Sequence, residues 1–174
     1  MCGIVGYIGQ RDCTDVLMQG LEKLEYRGYD SAGIAVFEKT GIKTVKTKGK
    51  LADMRHKLDI EGSPVGHCGI GHTRWATHGE PSDINSHPHT NGRVTIVHNG
   101  IIENYIELKE FLTEKGYTFT SQTDTEVVAC LLDYYYSERN PLRAITETLK
   151  ELKGSYALGI IFRDFPDRVY ATRK

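Results

Sequence analysis

The sequence predicts an α+β fold of packed sheets flanked by helices. Two observations carry this expectation. Short apolar runs rich in β-branched residues come in pairs joined by turns, and amphipathic helical segments bracket these pairs instead of alternating one for one with strands. A third observation removes the doubly wound alternative, since no G-x-G-x-x-G follows a predicted strand.

The elements follow in order. Cys2 opens an apolar run through Ile8 that reads as a buried strand, and Gly9-Gln10-Arg11-Asp12 reads as a turn. Asp12 or Thr14 caps a helix that runs to about Leu24 and carries Leu17, Leu21 and Leu24 on one face. The stretch from Tyr26 to Gly33 is too rich in glycine and polar groups for a helix. It leads into a strand over 34–37, then a turn at Gly41 and a half-exposed strand over 42–47. Residues 51–58 read as a short helix and 66–75 as a strand. Residues 76–91 form a long polar loop with two prolines and three histidines, and a loop of that length in a compact domain is functional or disordered. A strand over 93–98 stops at Asn99-Gly100. Helices are expected over 105–115, 125–136 and 142–152, and two strands over 155–163 and 168–172. The last strand has no closing element, which points to a C-terminally truncated fragment of a longer polypeptide.

Composition narrows the function classes. A chain of 174 residues with 39% hydrophobic and 26% charged residues suits one globular domain. A net charge of −1 supplies no basic excess for nucleic acid, and no apolar run is long enough for a membrane span. Cys2, Cys13, Cys68 and Cys130 are scattered and no secretion signal precedes them, so reduced thiols and a cytoplasmic location are expected.

Cys2 is the first chemical candidate. If Met1 is trimmed, a thiol and a free α-amine share one residue, and that amine, with an ordinary pKa of about 7.7–8.0, is a base at neutral pH. The competing reading is a small buried hydrophobe at a strand end. Arg74, at a strand end before the long loop, can grip a carboxylate with its planar fork or lie on the surface against Trp75. Thr77 and His78 line a ligand or order their own loop. Asn99-Gly100 is a turn signal and also the make-up of an oxyanion hole, an amide beside a close-approaching backbone N–H. Thr123 or Asp124 caps the next helix, with Asp124 open to a cationic ligand group. His78, His87 and His89 invite a zinc hypothesis but lack a second closely spaced pair, so no metal or other cofactor is expected.

Taken together, six stretches resemble the N-terminal glutaminase domain of the class II, or N-terminal-nucleophile, glutamine amidotransferases. They are Cys2-Gly3-Ile4-Val5-Gly6, the Leu24–Gly33 stretch, Gly71-His72-Thr73-Arg74-Trp75-Ala76-Thr77-His78-Gly79, His87-Pro88-His89, His98-Asn99-Gly100 and Thr123-Asp124-Thr125-Glu126. The spelling of the second and third resembles the glutamine–fructose-6-phosphate aminotransferase branch.

The resemblance implies a four-layer α/β/β/α sandwich of mainly antiparallel sheets. Residues 1–174 would be an incomplete glutaminase domain without the sugar-phosphate isomerase domains. It implies hydrolysis of L-glutamine to glutamate and ammonia through a Cys2 thioester, with Asn99 and Gly100 as oxyanion hole. Arg74 would hold the substrate carboxylate and Asp124 its ammonium, with Thr77 and His78 lining the pocket and Arg27 near the nucleophile. Trp75 would belong to a closing loop, and His87 would lie towards the acceptor domain. Fructose 6-phosphate would be met only through the missing domains, and the full-length enzyme would be a homo-oligomer. Retention of Met1 would leave an inert glutamine- or partner-binding module.

Overall fold

The computed structural model describes residues 2–174; the processing of Met1 lies outside the described residues. Among the described residues, eight strands and five α-helices build two four-stranded antiparallel sheets with helices on both outer faces. The first sheet contains β1 (Gly3–Ile8), β2 (Ser31–Glu38), β3 (Gly41–Lys48) and β4 (Cys68–Arg74), in the order β1-β4-β2-β3. The second contains β5 (His89–Asn91), β6 (Val94–Ile102), β7 (Gly154–Phe162) and β8 (Tyr170–Arg173), in chain order. Helices α1 (Cys13–Glu22) and α2 (Leu51–Glu61) cover the first sheet; α3 (Tyr105–Glu114), α4 (Asp124–Tyr135) and α5 (Pro141–Glu151) cover the second.

Period-two alternation along the strands makes three apolar layers. On β2, Ala32, Ile34 and Val36 pack with Leu17, Leu21 and Met54 under the helices, while Ala35 and Phe37 turn the other way. Those two join Ile70, Val97 and Ile161 in a core between the sheets. The third layer lies between β6–β7 and α3–α5, and α4 is buried along most of its length. Glycine on the outer face of β4 lets α1 come close. A Cβ at Gly69 would lie 2.9 Å from Cys13 Sγ, and one at Gly71 would lie 3.3 Å from Leu21 Cδ1.

The antiparallel four-layer arrangement matches the expectation. Its boundaries differ where local signals were ambiguous. Strand β2 begins at Ser31, inside the glycine-rich stretch, because ladders to β3 and β4 on both sides hold this segment extended. Asp12, whose side chain accepts from Asp15 N, is the α1 cap, while the Thr14 hydroxyl donates to Pro64 O. Helix α1 stops at Glu22, short of the expected end near Leu24, and a 3-10 turn follows at Glu25–Arg27. Strand β5 occupies the end of the long loop, with three residues that pair with β6.

Before it, residues 85–88 of that loop are buried against the first sheet. A Cβ on Gly33 would fall 2.0 Å from the His87 carbonyl oxygen and 3.1 Å from Pro88 Cδ. Gly33→Ala is therefore expected to destabilise the fold by about 3 kcal/mol, since the obstructing atom is backbone. Urea unfolding reads this as a lower midpoint; an unchanged midpoint would show that the loop yields freely.

Candidate functional site

Strand pairing brings the chemical candidates together. Gly3 pairs with Thr73 on β4, so Cys2 arrives at the strand end that carries Arg74. Cys2 Sγ accepts from Trp75 N–H at 3.2 Å and lies 3.5 Å from Trp75 O. Burial pushes the thiol up from its ordinary pKa, offset in part by that N–H and by the Arg74 guanidinium. A thiol held up in this way needs a base to attack at neutral pH.

Cys68, Ile70, His72 and Arg74 alternate towards the second sheet. Arg74 is buried, and its Nη2 donates to the carbonyls of His78 and, at 3.0 Å, Gly79. Its Nη1 lies 3.9 Å from Asp30 Oδ1 and makes no hydrogen bond among the described residues. Asp30 also ties the loop down from β2: its N–H donates to Arg74 O at 2.7 Å, and its Oδ2 accepts from Ala76 N. For Asp30→Asn, the loss of a charged acceptor shared by Arg74 and Ala76 is expected to raise KM for the substrate about 10-fold with kcat near wild type. Steady-state kinetics checks it, and an unchanged KM would remove Asp30 from the binding account.

On β6, Asn99 turns towards Cys2 and donates from Nδ2 to the Cys2 carbonyl at 3.2 Å. Gly100 has φ +119°, and a Cβ there would fall 2.2 Å from Ser155 O, so this backbone excludes other residues. Thr123 is the α4 cap, accepting from Glu126 N. Asp124 therefore stands in the first helical turn, where its Oδ2 accepts from Ile102 N at 2.9 Å.

Cys2, Arg74, His78, Gly100 and Asp124 line one narrow cavity of about 10 Å³, together with Trp75 and Thr77. Three buried polar atoms on its lining residues, Arg74 Nη1, His78 Nδ1 and His98 Nε2, have no hydrogen-bond partner among the described residues. Unpaired buried donors and acceptors around one cavity mark it as a polar ligand site. A wider cleft of about 430 Å³ opens from the same sulfur and is lined by Arg27, Asn99 and Ile101. The Trp75 side chain is half exposed at this mouth, with Gly28 beneath its ring. A larger cleft of about 610 Å³ lies at the β3–β5 edge, but its buried carboxylate, Glu126, already accepts from Thr120 and Ser121.

The side chain of His87 is buried, stacked on His72 with ring centroids 4.2 Å apart, and its Nε2 lies 3.1 Å from Thr125 Oγ1. It lines the cavity beside Cys2 and Arg74. His72, His98, Thr125 and Asp30 had no role from sequence reasoning. Strand alternation alone would have placed His72 on the face of Arg74, whereas Asp30 is brought in by tertiary pairing. Among the described residues, no group of three or more His, Cys, Asp or Glu could hold a metal ion.

The buried histidines give the fold an acid limit. Burial pushes His72 and His89 down to about 3, and lowers His87 and His98 as well. In the unfolded chain these rings protonate near their ordinary pKa of about 6.5, while the folded chain keeps them neutral. Stability is therefore full above about 6.5 and falls as pH drops towards 3, by about 1 kcal/mol per pH unit for each ring. Urea midpoints should be level from pH 8 to 7 and fall steadily from 6 to 4; a level profile to pH 4 would contradict neutral burial.

A sandwich of this kind, with a strand-end thiol facing an amide, an arginine and a carboxylate, defines an N-terminal-nucleophile amidotransferase fold. The chain belongs to the glutamine amidotransferase domain family, whose profile matches residues 72–173. It is 57% identical to a glutamine–fructose-6-phosphate aminotransferase [isomerizing] of Clostridium tetani, over all of this chain and 29% of that protein. The enzyme of the same name from Thermus thermophilus is 53% identical, over 98% of this chain and 28% of that protein. The chain thus spans less than a third of the length of these relatives.

Among solved structures, the Bacillus subtilis glutamine phosphoribosylpyrophosphate amidotransferase, complexed with ADP and GMP, superposes with TM-score 0.80 at 27% identity. The match covers 94% of this chain and 35% of that one. A regulatory enzyme of purine biosynthesis gives TM-score 0.81 at 28% identity, over 94% of this chain and 36% of that one.

Proposed function

We propose that this chain hydrolyses the side-chain amide of L-glutamine, with Cys2 as nucleophile and, once Met1 is removed, its α-amine as base. The supporting observation is the convergence of Cys2, Arg74, Asn99, Gly100 and Asp124 on one sulfur-centred cleft. The α-amine takes the thiol proton as Sγ bonds to the amide carbon, and the amide oxygen becomes an oxyanion. Asn99 Nδ2, which lies 3.2 Å from the Cys2 carbonyl, and the N–H of Gly100 beside it stabilise the developing charge. The carbon–nitrogen bond breaks as the amine returns the proton to nitrogen, which leaves as ammonia. Water then hydrolyses the Cys2 thioester to glutamate and regenerates the thiol.

Arg74 Nη1 takes the substrate carboxylate and Asp124 its ammonium, with Thr77 and His78 on the walls. Arg27 and Trp75 border the mouth. Residues 1–174 are part of a glutaminase domain whose ammonia, in a longer homo-oligomeric protein, is passed to fructose 6-phosphate. Relatives that bear that activity in their name, and are more than three times as long, support this reading. A cytoplasmic location fits the reduced cysteines; none of the described helices is long and apolar enough to cross a membrane.

The test is incubation of Met1-free protein with glutamine and, separately, with diazo-oxo-norleucine. Equimolar glutamate and ammonia, and alkylation of Cys2 alone, are expected. Labelling of Cys68, or no product from protein whose intact mass shows Met1 removed, would overturn the reading.

A further inference from the structure

His72 and Asn99 stand on different sheets and meet in the layer between them. His72 points inward with Ile70, Asn99 with Val97, and His72 Nε2 lies 2.8 Å from Asn99 Oδ1. At its other end, the Asn99 amide donates from Nδ2 to the Cys2 carbonyl at 3.2 Å. An amide has one accepting and one donating end, so these two contacts are linked. Turning it over would set its oxygen against the Cys2 carbonyl oxygen, two acceptors facing each other. The observed orientation therefore requires the proton of His72 to sit on Nε2. The ring is fully buried and stacked on His87, so it holds one position. An asparagine at a solvated site would choose between its two orientations freely; here a neighbouring proton chooses.

We propose that His72 is a positioning residue for the reaction: its neutral Nε2–H form locks the Asn99 amide with the NH2 end facing the carbon attacked by Cys2. This rests on the glutaminase reading of Cys2. His72 touches no reacting atom and acts through Asn99. Removing its N–H lets the amide turn its oxygen towards the developing oxyanion, which costs transition-state binding and leaves ground-state binding by Arg74 and Asp124 in place.

The test is a double-mutant cycle of H72F and N99A with H72Q as rescue, read by steady-state glutamine hydrolysis. Alkylation of Cys2 by iodoacetamide, which needs no oxyanion hole, is the control. H72F should lower kcat about 10- to 100-fold with KM within about 3-fold, below the roughly 100- to 1000-fold typical for deletion of an oxyanion donor. H72Q, whose amide can donate to the same oxygen, should recover most of the loss. On the N99A background H72F should cost less than about 3-fold, since residues acting as a unit are not additive. Alkylation should keep its wild-type rate. Additive losses, a wild-type kcat in H72F, or a parallel fall in alkylation would each overturn the proposal.

Nitrogen-15 spectra of the unmutated protein supply a reading that does not depend on turnover or on the folding of variants. They should show the Nε2–H form of His72; an Nδ1–H form would overturn the assignment even where hydrolysis is normal. If the wild-type protein releases no ammonia, it is the reading of Cys2 that falls, and the tautomer result stands apart from it.

Discussion

Cys2→Ala is expected to lower glutamine hydrolysis by at least about 1000-fold, because no other thiol can take over attack. Cys13, Cys68 and Cys130 are buried, and burial pushes them up to about 12, 11 and 12, so at neutral pH they are protonated and inert. Cys2 differs in being half-exposed, at the end of β1, and in contact with a main-chain N–H. The variant should keep its fold and its affinity for glutamine, since Arg74 and Asp124 are untouched. Hydrolysis and glutamine binding by calorimetry check both halves. Turnover within 10-fold of wild type would move the nucleophile elsewhere; loss of binding together with turnover would mean that the alanine disturbs the cavity.

Arg74→Lys should raise KM for glutamine about 100-fold and leave kcat within a few-fold of wild type. A lysine keeps the positive charge but cannot serve the His78 and Gly79 carbonyls and a substrate carboxylate at once, as the flat guanidinium can. Loss of a buried, charge-assisted pair costs about 2–5 kcal/mol, so a 100-fold effect is at its lower end. Glutaramate, which is glutamine without its ammonium group, should lose less affinity from Asp124→Asn than glutamine does, separating the two anchors. Kinetics with both amides checks this. A kcat loss with an unchanged KM would place Arg74 in the chemical step instead.

Much of the architecture is legible because its signals are local. The β2–β3 hairpin is visible as two apolar-patterned runs around Gly41, whereas Asn99-Gly100, expected to end its strand in a turn, lies inside β6, which stays paired with β7 as far as Ile102. The candidate site residues are visible as residue types at strand and helix ends, and the resemblance supplied their roles. What is not legible depends on contacts between distant elements. The burial of the loop at His87-Pro88 depends on the absence of a side chain at Gly33, more than forty positions upstream. His87 reads only as one of three histidines in a polar loop, yet its position there carries it into a stack with His72 and a bond to Thr125. Asp30 sits in a turn-like stretch, and only the β2–β4 register reveals that it faces Arg74. Sequence periodicity assigns a residue to a face; which groups meet across two sheets is a property of the packing.

The most direct measurement is the acid-quenched mass of Met1-free protein caught during turnover with glutamine, followed by peptide mapping. A γ-glutamyl group on the N-terminal peptide, held as a thioester on Cys2 and removed by hydroxylamine, is the predicted result. Steady release of ammonia with that peptide unmodified, or with the acyl group on any other cysteine, would contradict the account.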